Sequence, residues 1–241
     1  MLLFCFSAYS DYQEVPAAVY PVLPSRAADA KGFIPKGWVI EEQQQGDLNK
    51  DGKPDLLILL RQNNPSNIVT NDGMSPGTPS LDSNPRILAI AFQQKKNVYT
   101  LAVQNHDLIP RHDNPCIDDP LGGVSIDAGN LIVRLHFWAN AGSWSTSSIK
   151  FTFRYQAACF KLIGYDDSTS WRNTGETIDV SINYLTKKAK CVLGNYTNNL
   201  HTEKWADYPD ALGPCLDAIG DGSGFSPEPR SKSFWGIGEK E

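Results

Sequence analysis

Between Ile149 and Tyr155 the chain alternates Ile149, Phe151, Phe153 and Tyr155 with Lys150, Thr152 and Arg154. Successive side chains of a strand point to opposite faces, so a period of two describes a strand with one buried and one wetted side. The same pattern of short strands recurs along the chain. Leu56–Leu60 is a continuous apolar run of buried-strand length. Ile87–Phe92 and Val98–Val103 flank a polar turn, and Val124–Ile126 and Leu131–Trp138 flank Asp127-Ala128-Gly129-Asn130. Phe160–Ile163, Ile178–Tyr184 and Ala189–Leu193 continue the series. The expected fold is mostly β: antiparallel sheets or a sandwich of short strands, with long loops.

A length of 241 residues is enough to bury a core without covalent staples, and an apolar share of 41% is too high for general disorder. The net charge of −5, with no basic run beyond Lys95-Lys96 and Lys187-Lys188, argues against nucleic acid and mildly favours a basic partner. No apolar run reaches the roughly 18 residues a membrane helix needs.

Leu2–Ala8 is apolar, and Ala8-Tyr9-Ser10 sets small residues where signal peptidase reads them. Residues 1–10 are therefore expected to be the remnant of a signal peptide, and 11–241 a single β-rich domain, divisible into 11–104 and 105–241. Pro16, Pro21 and Pro24 suit an extended arm laid against the body. The expected location is periplasmic or extracellular. Cys5 offers an alternative, membrane anchoring through a lipoprotein signal, although bulky Phe4 precedes it. In an oxidising compartment Cys116, Cys159, Cys191 and Cys215 are expected to form two disulfides. Three pairings are open, the local one being Cys116–Cys159 with Cys191–Cys215. No C-x-x-C spacing supports zinc instead.

Residues 47–55 read D-x-N-x-D-G-x-x-D. Calcium takes about six to eight hard oxygen ligands, and alternate positions of a tight loop point towards a common centre. Asp47, Asn49, Asp51 and Asp55 supply side-chain oxygens, the Lys53 carbonyl supplies position seven, and Gly52 permits the turn. The bidentate Glu of an EF-hand is replaced by Ile58, so a helix-loop-helix is excluded. A calcium-binding hairpin loop is expected, with Ca2+ in a structural role. Gly46–Leu56 resembles the calcium loop of FG-GAP or VCBS repeats, in which the ion closes a β-hairpin of a propeller blade. One copy does not imply a propeller.

Gly142-Ser143-Trp144, Phe151–Gln156, Phe160–Tyr165 and Ile182–Thr186 resemble a bacterial family of exported proteins and lipoproteins of unassigned function, which often carry one such loop upstream. The resemblance implies a β-rich envelope protein and supplies no active site. Some proteins of this kind look like partners of exported toxins.

No nucleophile motif accompanies His106, His112, His136 or His201, and His106-Asp107 with His112-Asp113 reads as a solvated polar loop. Asp166, Asp167, Glu176 and Asp179 are candidates for glycoside hydrolysis only as acids. Residues 62–85, rich in Asn, Pro and Gly, read as a long surface loop, and the last 40 or so residues as looser chain. These observations lean away from an enzyme and towards an exported, calcium-stabilised binding protein, an inhibitor or immunity protein with a protein partner such as a secreted toxin or cell-wall enzyme. The alternatives are an exported carbohydrate-active hydrolase and a carbohydrate-binding module using Trp144 or Trp171.

Overall fold

The apolar run after the Asp-rich loop is the middle of one sheet, and the alternating segments downstream build another. The computed structural model describes residues 15–70, 77–140, 142–198, 200–208, 213–227 and 235. The expected signal remnant, with Cys5, lies outside them.

The first sheet has five strands in the order β1-β7-β6-β3-β2. These are β1 (Arg26–Ala27), β2 (Trp38–Gly46), β3 (Asp55–Gln62), β6 (Arg86–Lys95) and β7 (Val98–Asn105). A small ladder of β4 (Ile68–Thr70) and β5 (Ser80–Asp82) branches from it. The second sheet has seven strands: β8 (Leu121–Asp127), β9 (Asn130–Trp138), β10 (Ser145–Gln156), β11 (Cys159–Trp171), β12 (Glu176–Asn183), β13 (Lys188–Asn195) and β14 (Leu200–Asp207). They lie in unbroken chain order, each antiparallel to the next.

The two sheets share one core. Leu57, Leu59, Leu88, Ile90 and Phe92 of the first pack with Leu131, Val133, Ile149, Phe151, Phe153, Leu162 and Tyr165 of the second. The other face of the first sheet, Leu56, Ile58, Leu60, Ile87 and Ala89, is covered by Leu23, Ala30 and Phe33 of the N-terminal arm, together with Trp38. Burial on both faces is why β3 is continuously apolar rather than alternating.

One corner of the sandwich is stitched by a side chain. Gln44 of β2 donates from Nε2 to the Val124 carbonyl (3.3 Å) and accepts from the Ile126 N–H (2.9 Å). Its amide takes the place of a neighbouring strand and satisfies the edge of β8.

Two expectations change. Residues 62–85 are not only surface loop: Asn67, Ser83 and Asn84 are buried, Asn67 Nδ2 donates to Gln62 Oε1 (2.8 Å) and Asn84 Oδ1 (3.1 Å), and Ser83 Oγ donates to the Asn67 carbonyl (2.7 Å). A polar cluster holds a segment too poor in apolar residues to build a core. The chain after 200 is also less loose than expected, because β14 pairs with β13 over eight residues. Its sequence is mostly polar because it is an edge strand.

Candidate functional site

The Asp-rich loop sits where the two sheets meet. Asp47 Oδ1 accepts from the Asp51 N–H (3.0 Å) and Oδ2 from the Gly52 N–H (2.9 Å), while Asn49 Oδ1 also accepts from the Asp51 N–H (3.0 Å). Asp51 Oδ1 accepts from the Lys53 N–H (3.0 Å). These short-range bonds fold the chain back on itself, helped by left-handed backbone at Lys50 (φ 63°) and Gly52 (φ 83°).

The acids of the loop differ in environment. Asp51 lies at the surface, with its Oδ2 at 2.9 Å from Lys53 Nζ, and the hydrogen bond from that ammonium holds its carboxyl below the usual range. Asp55 is fully buried. Its Oδ2 accepts from the Leu48 (2.9 Å) and Asn49 (3.2 Å) N–H groups and its Oδ1 from the Gln93 N–H (2.9 Å). Desolvation pushes its carboxyl up, against the pull of the Gln93, Asn49 and Leu48 amides, and the charge of Asp51 adds to the rise. Asp55 thus ties the loop to β6.

A carboxylate has about four lone-pair sites. Asp55 has committed three to main-chain donors, whereas Asp47 and Asp51 keep open sites towards solvent. Asp47, Asn49, Asp51 and the Lys53 carbonyl would be the groups offered to a calcium ion, with one lone pair left on Asp55, but the three carboxylates are not drawn together into a formed site. Among the described residues no group of three or more His, Cys, Asp or Glu side chains is gathered closely enough to hold a metal.

The histidines are dispersed. His106 stacks on Tyr20 at 4.1 Å and His112 Nε2 lies 2.9 Å from the Ile117 carbonyl, which gives both ordinary packing roles. His136 and His201 are exposed.

The acids considered for hydrolysis are divided by the pleat. Asp167 points inwards and is buried, with Tyr165 Oη donating to it at 3.2 Å. Asp166 and Asp179 point outwards, where each accepts from a serine hydroxyl on the next strand: Ser181 to Asp166 (2.6 Å) and Ser168 to Asp179 (2.5 Å). Glu176 lies near one end of the same sheet, 3.4 Å from Thr174 Oγ1.

At that end aromatic side chains gather around Arg172, which sequence reading passed over. Its guanidinium lies 3.9 Å from the centre of the Trp138 ring, and Nη2 donates to the Ala139 (3.0 Å) and Ser143 (2.8 Å) carbonyls. The Arg172 N–H donates to the Trp144 carbonyl (2.9 Å), and Tyr196 Oη donates to the Arg172 carbonyl (3.3 Å). Trp144 and Tyr196 remain 64% and 56% exposed.

The cysteine expectation is corrected to a single disulfide among the described residues. Cys159 joins Cys215, 5.9 Å away between Cα atoms, across both of the expected local pairs. The returning chain forces this choice: Lys161 and Cys215 form a bridge, and the Leu162 N–H donates to the Pro214 carbonyl (2.9 Å). Cys191 points into the core between Val180 and Lys204 in the ladder, and it and Cys116 are buried as thiols. Burial pushes the Cys191 thiol up.

Among the described residues no helix is long and apolar enough to cross a membrane. Compared with models of known families, with curated proteins and with solved structures, the chain matches none.

Proposed function

We propose that the protein is an exported, calcium-stabilised binding protein that presents the aromatic end of its seven-stranded sheet to a protein partner, as an inhibitor or immunity protein for a secreted toxin or cell-wall enzyme. The observation that carries this reading is the Arg172 clamp. Binding hot spots concentrate in Trp, Tyr and Arg on rigid supports, and here two exposed aromatics are held by main-chain bonds to one arginine. The Cys159–Cys215 disulfide supports an oxidising compartment. Calcium, held by Asp47, Asn49, Asp51 and the Lys53 carbonyl, stiffens the corner between the sheets and supplies no chemistry to a substrate.

The test is to immobilise the protein, pass secreted and envelope proteins of its native source over it, and repeat with a Trp144→Ala, Tyr196→Ala double variant of unchanged melting temperature. A protein held by the wild type, lost by the variant, and inhibited as an enzyme or toxin on binding is expected. Identical retention by both forms would remove the aromatic end from the account.

A further inference from the structure

We infer that the outer face of the seven-stranded sheet is a second binding site, taking a neutral glycan in the trough across β9 to β13 and against the neighbouring Trp205 of β14. The outward side chains form two rows. Lys150, Asp166, Ser181, Lys190 and Trp205 stand side by side on successive strands, with Ser148, Ser168, Asp179, Val192 and Glu203 one rung away. Those from β10 to β13 border a depression of about 390 Å3, to which Arg134 of β9 also contributes, and Trp205 and Glu203 of β14 stand beside it. Trp205, opposite Lys190 on the next strand, is 62% exposed.

Charge narrows the ligand class. Arg134, Lys150 and Lys190 of the trough are balanced by Asp166 and Asp179 in it and by Glu203 beside it on β14, so this face has no net field to select an ion. Lys150 lies 2.8 Å from Asp166 and Lys190 2.9 Å from Glu203. The centres of protein interfaces are depleted in charge, which makes this surface a poor hot spot for a protein. Paired donors and acceptors suit vicinal hydroxyls, each of which donates and accepts.

The site is also preorganised. Serine hydroxyls fix Asp166 and Asp179, and the Trp205 indole N–H donates to Glu203 Oε1 at 2.5 Å while Lys190 Nζ lies 5.4 Å from its ring centre. A carboxylate with one or two partners keeps lone pairs for a ligand, and the exposed indole offers an apolar face for a sugar ring. Strand spacing of about 4.8 Å repeats these groups at close to the span of a pyranose.

Calorimetry with cellohexaose, laminarihexaose and chitohexaose, alongside heparin as a charged control, tests the inference. At least one neutral hexasaccharide is expected to bind saturably, with Trp205→Ala and Asp179→Ala each weakening it about tenfold or more and Trp144→Ala leaving it unchanged. All three side chains are at the surface, and melting curves report whether each variant is folded. Failure of all three neutral sugars at millimolar concentration, binding of heparin alone, or binding indifferent to the Trp205→Ala, Asp179→Ala double variant would each overturn it. Because Trp144 belongs to the protein-binding reading and Trp205 does not, the two stand or fall separately.

Discussion

Gly129, in the turn between β8 and β9, approaches Asp47 so closely that a Cβ on it would stand 2.9 Å from the Asp47 carbonyl oxygen. Its φ of 72° is in the left-handed region as well. Gly129→Ala therefore meets both a steric and a conformational penalty, the second about 1–2 kcal/mol. The variant is expected to melt several degrees lower and to bind calcium more weakly, since the turn presses on the first residue of the loop. Calorimetric melting with and without calcium measures both, and a variant indistinguishable from wild type would show that the turn and the loop are independent.

On the proposed reading, calcium binds the native loop and not the unfolded chain. At free calcium a hundred times the dissociation constant the stabilisation is about 2.7 kcal/mol, and chelation should remove it. Asp51→Ala is expected to abolish the response. Lys53→Gln should tighten binding, because the ammonium now 2.9 Å from Asp51 Oδ2 competes with the ion for that oxygen. A melting curve indifferent to calcium and chelator, in metal-free protein, would eliminate the site.

The β10–β11 turn places two alanines, Ala157 (φ 50°) and Ala158 (φ 60°), in left-handed backbone. Asn-Gly is the favoured pair for a two-residue turn of this hand. Ala157→Asn with Ala158→Gly is expected to raise stability by about 1–2 kcal/mol, read as a higher denaturant midpoint with an unchanged slope. A lower midpoint would indicate that the alanine methyls contribute more by packing than they cost in strain.

Opening the Cys159–Cys215 bond releases a constraint over a sequence separation of 56 residues. The chain-entropy scale for such a loop is about 4 kcal/mol, so Cys159→Ser should be strongly destabilised. Peptide mapping should recover one crosslinked pair, with Cys116 and Cys191 alkylated only in denaturant. Rapid native labelling of Cys191 would contradict its burial.

Arg86 grips two carboxylates, with Nη2 2.7 Å from Asp119 Oδ2 and Nε 2.6 Å from Glu41 Oε2. Partial burial of Asp119 would raise its carboxyl, but the Arg86 bonds outweigh this and hold it below the ordinary value of 3.8. The folded value is the lower one, so the stabilisation is complete above the unfolded value and is lost as pH falls through the folded one. Asp119→Asn should flatten the acid side of a stability-against-pH curve below about pH 4. An acid limb of unchanged slope would assign acid unfolding to other groups.

Most strands were legible because burial of one face leaves alternation in the sequence, as in Ile149–Tyr155, and burial of both leaves a run, as in Leu56–Leu60. Strand β14 was hidden because an edge strand carrying His201, Thr202, Glu203 and Lys204 has little apolar pattern. The Asp-rich loop announced itself through local spacing. Nothing local marked Asp55 as the residue reaching Gln93, nor Arg172 as a clamp, since both roles depend on chain brought back from elsewhere. Disulfide pairing failed for the same reason: proximity in sequence was the only guide, and the ladder placed Cys215 beside Cys159.

The seven-stranded sheet follows chain order from β8 to β14, so every pairing in it is between neighbours along the sequence. Such a sheet can grow by adding hairpins to an existing edge, with only short loops to close at each step. The five-stranded sheet lacks this property, because β3 must find β6 across the 62–85 segment and β7 must find β1. Folding from the carboxyl-terminal half is therefore the faster route. A chain that emerges amino terminus first would carry its slow half exposed until the fast half arrives to cover it.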